Sequence, residues 1–284
     1  MGWYRPQSVE EAIKILEEKS PKIVCGGTDL FVQLTTRQTE FSQSDHWLDI
    51  QNLSELKKIE RTDEGIEVGA AVTAAEIWQS PVLQPLPALQ KAARVVGGWQ
   101  IQNRASIGGN IANASPAGDM IVPLAAYQAR IKIASPNGVR ILPFDEIITG
   151  PKKTQLAQNE MILSVLIPKE SLGVPQTFLR HDQRGGTDIS LVSVAALVKG
   201  TTSKIELAQI AIGAAHYKPM VLKDLTDRLD GTLTTDQLDR IAEWYAENCQ
   251  PISDIRASAE YRRAMVKVFV KKAITEVLAL NESL

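Results

Sequence analysis

The sequence predicts a mixed α+β protein of two domains, and three observations carry the prediction. Over the first 170 or so residues, apolar positions switch repeatedly between a helical and a strand period. A Gly/Pro-bearing connection from Ser171 to Pro175 then breaks the pattern, as a domain boundary does. Beyond it, three long β-rich segments precede any helix, the strands-then-helices order of an α+β layout. These readings set the domains at 1–172 and 176–284.

The 284 residues are enough to bury a substantial core. Lys and Arg number 31 against 33 Asp and Glu, so the chain presents no polycation for nucleic acid or an anionic membrane. No apolar stretch approaches the roughly 20 residues of a membrane span, and the start, MGWYRPQSVEEA, lacks the features of a secretory signal. Two distant cysteines, Cys25 and Cys249, make neither a disulfide framework nor the four thiolates of a cluster. The expectation is a cytoplasmic, reduced protein without an iron–sulfur cluster of its own.

Taken in order, Ser8 and Glu11 have the spacing of a capping box, and Val9, Ala12, Ile13 and Leu16 continue it as an amphipathic helix over 8–19. Ile23 and Val24 form a short strand that runs into Cys25, Gly26, Gly27, Thr28 and Asp29, with a helix from Leu30 to Arg37 behind. A glycine pair between a strand end and a helix start suits a phosphate, through amides and the helix dipole. Thr28 and Asp29 are equally ordinary helix caps, and no glycine run here fits the dinucleotide fingerprint G-x-G-x-x-G.

A strand over 46–50, a short helix over 54–59 and an alternating strand at Ile66, Val68, Ala70 and Val72 follow. Thr73 and Glu76 repeat the capping-box spacing, and Leu86, Leu89, Ala93 and Val96 mark a further helix. After the central stretch come a helix to about Gln128, strands 130–135 and 139–142 turned at Asn137-Gly138, and a strand from Met161 to Ile167. The second domain reads as strands 176–183, 189–198 and 205–214, then helices starting at Pro219, Thr235 and Ser258.

Gly97 to Asp119 shows no regular period and holds five glycines and three asparagines, so it reads either as a loop that holds a ligand or as a plain surface loop. Its centre, Ser106, Ile107, Gly108, Gly109 and Asn110, has paired glycines that permit positive φ and close approach, and successive amides there can converge on an anion. Ser115 and Asp119 follow. The Asp119 carboxylate can accept from sugar hydroxyls or cap the next helix.

Four motifs in order resemble one family, the FAD-binding medium subunit of the molybdenum hydroxylases: the xanthine dehydrogenases, aldehyde oxidoreductases and aerobic carbon monoxide dehydrogenases. They are Tyr4 to Ala12, Gly26 to Leu30, Gln100 to Asp119 and Ser253 to Arg263. The resemblance implies a two-lobed FAD-binding domain of the vanillyl-alcohol-oxidase (PCMH) type, its lobes dividing near 55–65. A C-terminal domain with a three-stranded sheet and helices would lie beside the flavin. It further implies FAD contacts from Ile23, Val24, Cys25, Gly26, Gly27, Thr28, Asp29 and Leu30, and from Ser106 to Asn110, with both turns wrapping the diphosphate. Ser115, Asp119, Ile162 and Arg180 complete the implied set.

Three positions depart from the family pattern: Cys25 where a small residue is usual, Gln102 where many members have arginine, and Arg180 where many have lysine. His46, His181 and His216 are isolated, without metal-ligand spacing, and only His181 stands near an implied flavin residue. Ser253 to Arg263 reads as capping and domain packing, with a partner-subunit contact as the alternative. The resemblance implies a subunit without catalytic side chains of its own. Its partners would be a molybdopterin-binding large subunit, a [2Fe–2S] small subunit and an electron acceptor such as NAD. A self-sufficient flavin reductase of the same broad fold and a flavin-free assembly subunit are the alternatives.

Overall fold

The computed structural model describes residues 2–36, 46–223, 225–229 and 231–282. The first lobe runs β1 (Gly2–Tyr4), α1 (Val9–Lys19), β2 (Lys22–Val24), α2 (Leu30–Thr36) and β3 (His46–Asp49). Its strands are parallel, in the order β1-β3-β2. The predicted helix end at Arg37 lies outside the described residues. Ser8 caps α1 by accepting from the Glu11 amide, and Ala12 and Leu16 turn its apolar face inward. The box is not reciprocal, since the Glu11 carboxylate accepts from the Gln7 amide, one residue earlier than the spacing implies.

The second lobe comprises β4 (Ile59–Thr62), β5 (Gly65–Gly69), α3 (Ala74–Gln79), α4 (Pro87–Arg94), α5 (Trp99–Gln102), α6 (Ile107–Asn113), α7 (Ile121–Ala126), β6 (Arg130–Ser135), β7 (Gly138–Pro143), α8 (Phe144–Ile147), β8 (Ile148–Gly150), β9 (Lys153–Thr154) and β10 (Met161–Pro168). Five strands form an antiparallel sheet ordered β4-β5-β10-β6-β7, and β8 and β9 pair separately. The Thr73 and Glu76 capping box forms in full. Ile66, Val68, Ile131, Ile133 and Val165 of the sheet share a core with Leu89, Ile107 and Leu124 of the helices.

Three local expectations change. The helix expected over 54–59 is a single 3-10 turn at Ser54–Leu56, and Ile59 already belongs to β4. The β6-β7 hairpin closes at Ser135 and Gly138, so its turn residues are Pro136 and Asn137, because Pro136 presets the first of the two. The central stretch is not a continuous loop but folds into α5 and α6, with Gly108 and Gly109 inside the first turn of α6. Glycine's poor helix propensity hid that helix from the sequence pattern.

The C-terminal domain is β11 (Gln176–His181), β12 (Val192–Thr201), β13 (Lys204–Gly213), β14 (Met220–Val221), α9 (Leu225–Arg228), α10 (Thr235–Asn248) and α11 (Ala259–Glu282). The three long strands form, the second starting and ending three residues later than expected, and a fourth, β14, occupies the edge where a helix from Pro219 was predicted. Side chains alternate along β12 as the pleat requires. Val192, Val194, Ala196 and Val198 pack with Tyr245, Val266 and Val270 of the helices, whereas Ala195 and Leu197 face the other way into the core of the second lobe. There β12 and β13 meet α7, and β11 meets α4. Gln176, buried at this seam, accepts from the Ala88 amide and the Tyr127 hydroxyl and donates to the Val174 carbonyl.

Candidate cofactor site

The two glycine turns meet. Gly27 is left-handed at φ +73, which favours glycine, and a Cβ on Gly26 would stand 1.9 Å from the Arg104 carbonyl oxygen, so backbone lies directly on backbone. Arg104 Nε donates to the Gly26 carbonyl at 3.4 Å. The amides of Gly27, Thr28, Asp29 and Leu30 have no acceptor among the described residues. Neither the Thr28 nor the Asp29 side chain accepts from a backbone amide among the described residues, so the capping alternative for them is not realised; the Asp29 carboxylate instead pairs with Lys152 at 3.8 Å. Four successive open amides at a helix start form an anion site.

The second turn differs from expectation. The amides of Ile107 and Gly108 donate to the Val72 and Ala70 carbonyls, that of Gly109 to Ser106 Oγ, and that of Asn110 to the Ser106 carbonyl. None of these donors is free to converge on an anion, and neither glycine has positive φ. Gly108 is needed for packing: its Cβ would lie 2.7 Å from that of Ala70. At Gly109 an added Cβ would meet only Ser106 Oγ, at 2.9 Å. What this turn offers a ligand is close approach at Gly109 and the Asn110 side chain, whose Oδ1 is buried without a partner among the described residues.

Asp119 does not cap α7, whose first turn receives no side-chain hydrogen bond. Its carboxylate, 8% exposed, accepts from Ser190 Oγ at 2.7 Å and pairs with Arg180 Nη1 at 3.3 Å. Arg180 is thereby the centre of a domain junction: Nη1 also donates to the Val95 carbonyl at 2.6 Å, Nη2 donates to the Asp188 carbonyl, and Nε lies 3.2 Å from Asp182. Burial pushes the Asp119 acid up to about 6, although the Arg180 charge and the Ser190 hydroxyl work against the rise. The sequence identified Asp119 and Arg180 separately. That they pair, and that Ser190 joins them, required the fold.

Other predicted residues fall into place unevenly. Val24 is buried at the end of β2, Ile23 packs against the core of the first lobe, and Leu30 opens α2. Cys25 is half-buried beside Ser106, and burial raises its thiol. The Ser115 hydroxyl has no hydrogen-bond partner among the described residues, and the neighbouring Pro116 carbonyl accepts from Ala214 of the C-terminal domain. The Ile162 side chain lies in the core of the second lobe at 5% exposure, and beside it the β10-β6 register slips between Ile162 and Ser164.

Gln102 is buried and donates to the Arg94 carbonyl at 2.7 Å, so this departure serves the end of α4. Strand alternation turns His181 away from Arg180, onto Tyr261 and Phe269 of α11. His46 bonds Tyr4, and His216 packs on Tyr217. In the Ser253 to Arg263 segment, Arg262 is 1% exposed and donates to Asp254 and to the Leu191 carbonyl, locking the start of α11 to the sheet.

A parallel first lobe, an antiparallel second lobe, glycine turns in contact between them and a C-terminal sheet packed on α4 and α7 are the architecture of a two-lobed dinucleotide-binding protein. Residues 1–170 match the family of FAD binding domains in molybdopterin dehydrogenase, and 178–277 match the CO dehydrogenase flavoprotein C-terminal domain. The chain is 31% identical to the xanthine dehydrogenase FAD-binding subunit of Escherichia coli O157:H7, covering 98% of this chain and 96% of that one. It is 32% identical to the glyceraldehyde dehydrogenase medium chain of Sulfolobus acidocaldarius, covering 97% and 98%. Among solved structures, a carbon monoxide dehydrogenase from Hydrogenophaga pseudoflava superposes with a TM-score of 0.91 at 26% identity, covering 98% and 97%. This protein belongs to the family of FAD-binding subunits of the molybdenum hydroxylases, oxidoreductases of the xanthine and carbon monoxide dehydrogenase type. The residues present fit FAD: open amides for an anion, a glycine contact no side chain could enter, and on the second turn a buried Asn110 oxygen without a partner among the described residues.

Proposed function

We propose that the chain is the electron relay of a three-subunit molybdenum hydroxylase. Its partners would be a molybdopterin-binding large subunit, where substrate is oxidised, and a small subunit with [2Fe–2S] centres. Bound FAD supplies a centre that can accept electrons singly and release them singly or as a hydride to an acceptor such as NAD. The observation that carries the reading is the row of open amides from Gly27 to Leu30, set against the Gly26 contact with Arg104.

In this reading the turn over 23–30 holds the diphosphate, and the helix start over 106–110 brings Gly109 and Asn110 alongside it. Asp119 retains lone pairs beyond those used by Ser190 and Arg180, and it takes flavin sugar or ribityl hydroxyls together with Ser115. Ile162 contributes main chain, and Arg180 holds Asp119 oriented at the domain junction. No side chain acts as acid, base or nucleophile. The domains divide at 1–172 and 176–284, with the lobes parting near 55–65, and the protein works in the cytoplasm. Among the described residues, no helix is long and apolar enough to cross a membrane.

The test is reconstitution. The purified chain with FAD should show simple flavoprotein absorption without an iron–sulfur shoulder, and should not oxidise a purine, an aldehyde or carbon monoxide with an artificial acceptor. Adding both partner subunits should make flavin reduction depend on substrate. Turnover by the metal-free chain alone would replace the relay with a self-sufficient flavoenzyme.

A further inference from the structure

Two cations stand at the ends of the open-amide turn, and neither is among the residues assigned to the site from the sequence. At the Gly26 end, Arg104 Nε donates to the Gly26 carbonyl at 3.4 Å. At the other, Lys152 Nζ lies 3.8 Å from Asp29 Oδ1 and donates to Asn113 Oδ1 at 2.7 Å. Lys152 comes from the β8-β9 turn, remote in sequence, and has a left-handed backbone at φ +59. Its amide donates to the carbonyl of Ala114, itself left-handed at φ +43 where α6 ends. Two non-glycine residues held in this sparsely populated region persist only where surrounding structure over-determines them. Here the result is an ammonium delivered to the helix α2 start.

Charge gives that delivery a purpose. Asp29 puts a carboxylate on the very turn whose amides are open, and a diphosphate would bring further negative charge to the same place. The partial positive end of the short helix α2 is a weak counterweight, since such effects are modest and screened at exposed positions. Arg104 and Lys152 approach from opposite ends, and Lys152 already meets Asp29.

We propose that Arg104 and Lys152 are electrostatic ligands of the cofactor diphosphate, with Lys152 also neutralising Asp29 so that the amide turn can accept a dianion. This rests on the reading that the turn over 23–30 holds the diphosphate.

The test is titration of the full-length FAD-free chain with FAD, followed by flavin fluorescence, at low and high potassium chloride. Lys152→Gln and Arg104→Gln should each weaken binding about three- to tenfold at low salt, and the loss should shrink at high salt as the charges are screened. Lys152→Arg should retain most of the affinity. Lys152→Gly, which keeps the left-handed backbone without the charge, should behave like the glutamine variant. Wild-type affinity and salt dependence in the glutamine variants would overturn the proposal, as would a loss that salt leaves unchanged. Gly27→Val separates the two levels of inference. If it binds FAD like wild type, the turn itself has been misassigned; if it loses FAD while the lysine and arginine variants bind normally, only the cation proposal falls.

Discussion

Replacing Arg180 by methionine tests the junction between the domains and gives a loss whose pH dependence can be worked out beforehand. The wild-type guanidinium is buried, pairs with Asp119 and Asp182, and donates to the Val95 and Asp188 carbonyls. Burial raises the Asp119 acid from 3.8 to about 6, so the folded state holds this proton more tightly than the unfolded chain. Stability from that proton is fully present below about pH 4 and is lost as pH rises through about 6, a change of about 3 kcal/mol. Above pH 6 the carboxylate is ionised and depends on Arg180. Arg180→Met should therefore cost the FAD-free chain about 3–5 kcal/mol at pH 8, the penalty for leaving a buried charge unpaired. At pH 5, with Asp119 protonated in both proteins, the cost should fall to about 1–3 kcal/mol, from the orphaned carbonyls and Asp182. Urea unfolding at the two pH values measures both numbers, and adding Asp119→Asn should recover part of the pH 8 loss through the coupling of adjacent sites. Equal losses at pH 5 and 8, or strict additivity of the two substitutions, would refute the ion pair as the source.

Gly109→Val should abolish flavin occupancy while circular dichroism and the melting curve change less than for Gly108→Val, since its Cβ meets only Ser106 Oγ. Gly108→Val should instead destabilise the fold, by about 1–3 kcal/mol or more, because it overpacks against Ala70. Retained flavin in the first variant, or a stable second one, would count against these assignments. Asp119→Asn should weaken FAD binding about tenfold or more, by removing an ionised acceptor, yet change stability of the FAD-free chain at pH 8 by less than about 1 kcal/mol, since it also relieves a buried charge. The same variant should flatten the stability profile between pH 4 and 6, and an unflattened profile would assign that titration to another group.

Where local chemistry decides structure, the sequence was sufficient to read it. Thr73 and Glu76 specify their helix start within four residues, the period-2 pattern of β12 places its two faces, and the break at Ser171 to Pro175 precedes a sheet of different order. The glycine turns were legible as a pair only through resemblance, and their division of labour was not legible at all. The amides of Ile107 and Gly108 are consumed by Val72 and Ala70, which lie more than thirty residues away, and no local pattern reports that. The placement of Arg104 and Lys152 was likewise illegible, because an exposed cation carries no sequence signal of its partner until tertiary structure brings it to Gly26 or Asp29. Ile162 was named from resemblance as a ligand residue, yet its side chain obeys the strand pattern around it and packs inward.

Both domains are needed to hold the junction around Asp119, and α7 shows why. Every residue from Ile121 to Ala126 is buried, including those on the side opposite the second-lobe sheet, so the helix has no solvent face. A helix apolar all round is stable only when covered all round, and the cover here is β12 and β13 of the C-terminal domain. The same helix follows directly on Asp119, whose side-chain partners Ser190 and Arg180 also belong to that domain. Removing residues 176–284 would thus expose an apolar helix and strip a buried carboxylate of both its donors in one step. If Asp119 takes flavin hydroxyls as proposed, it is held in position for them by a sheet that comes later in the chain, and the C-terminal domain is then part of the cofactor site rather than an appendage to it.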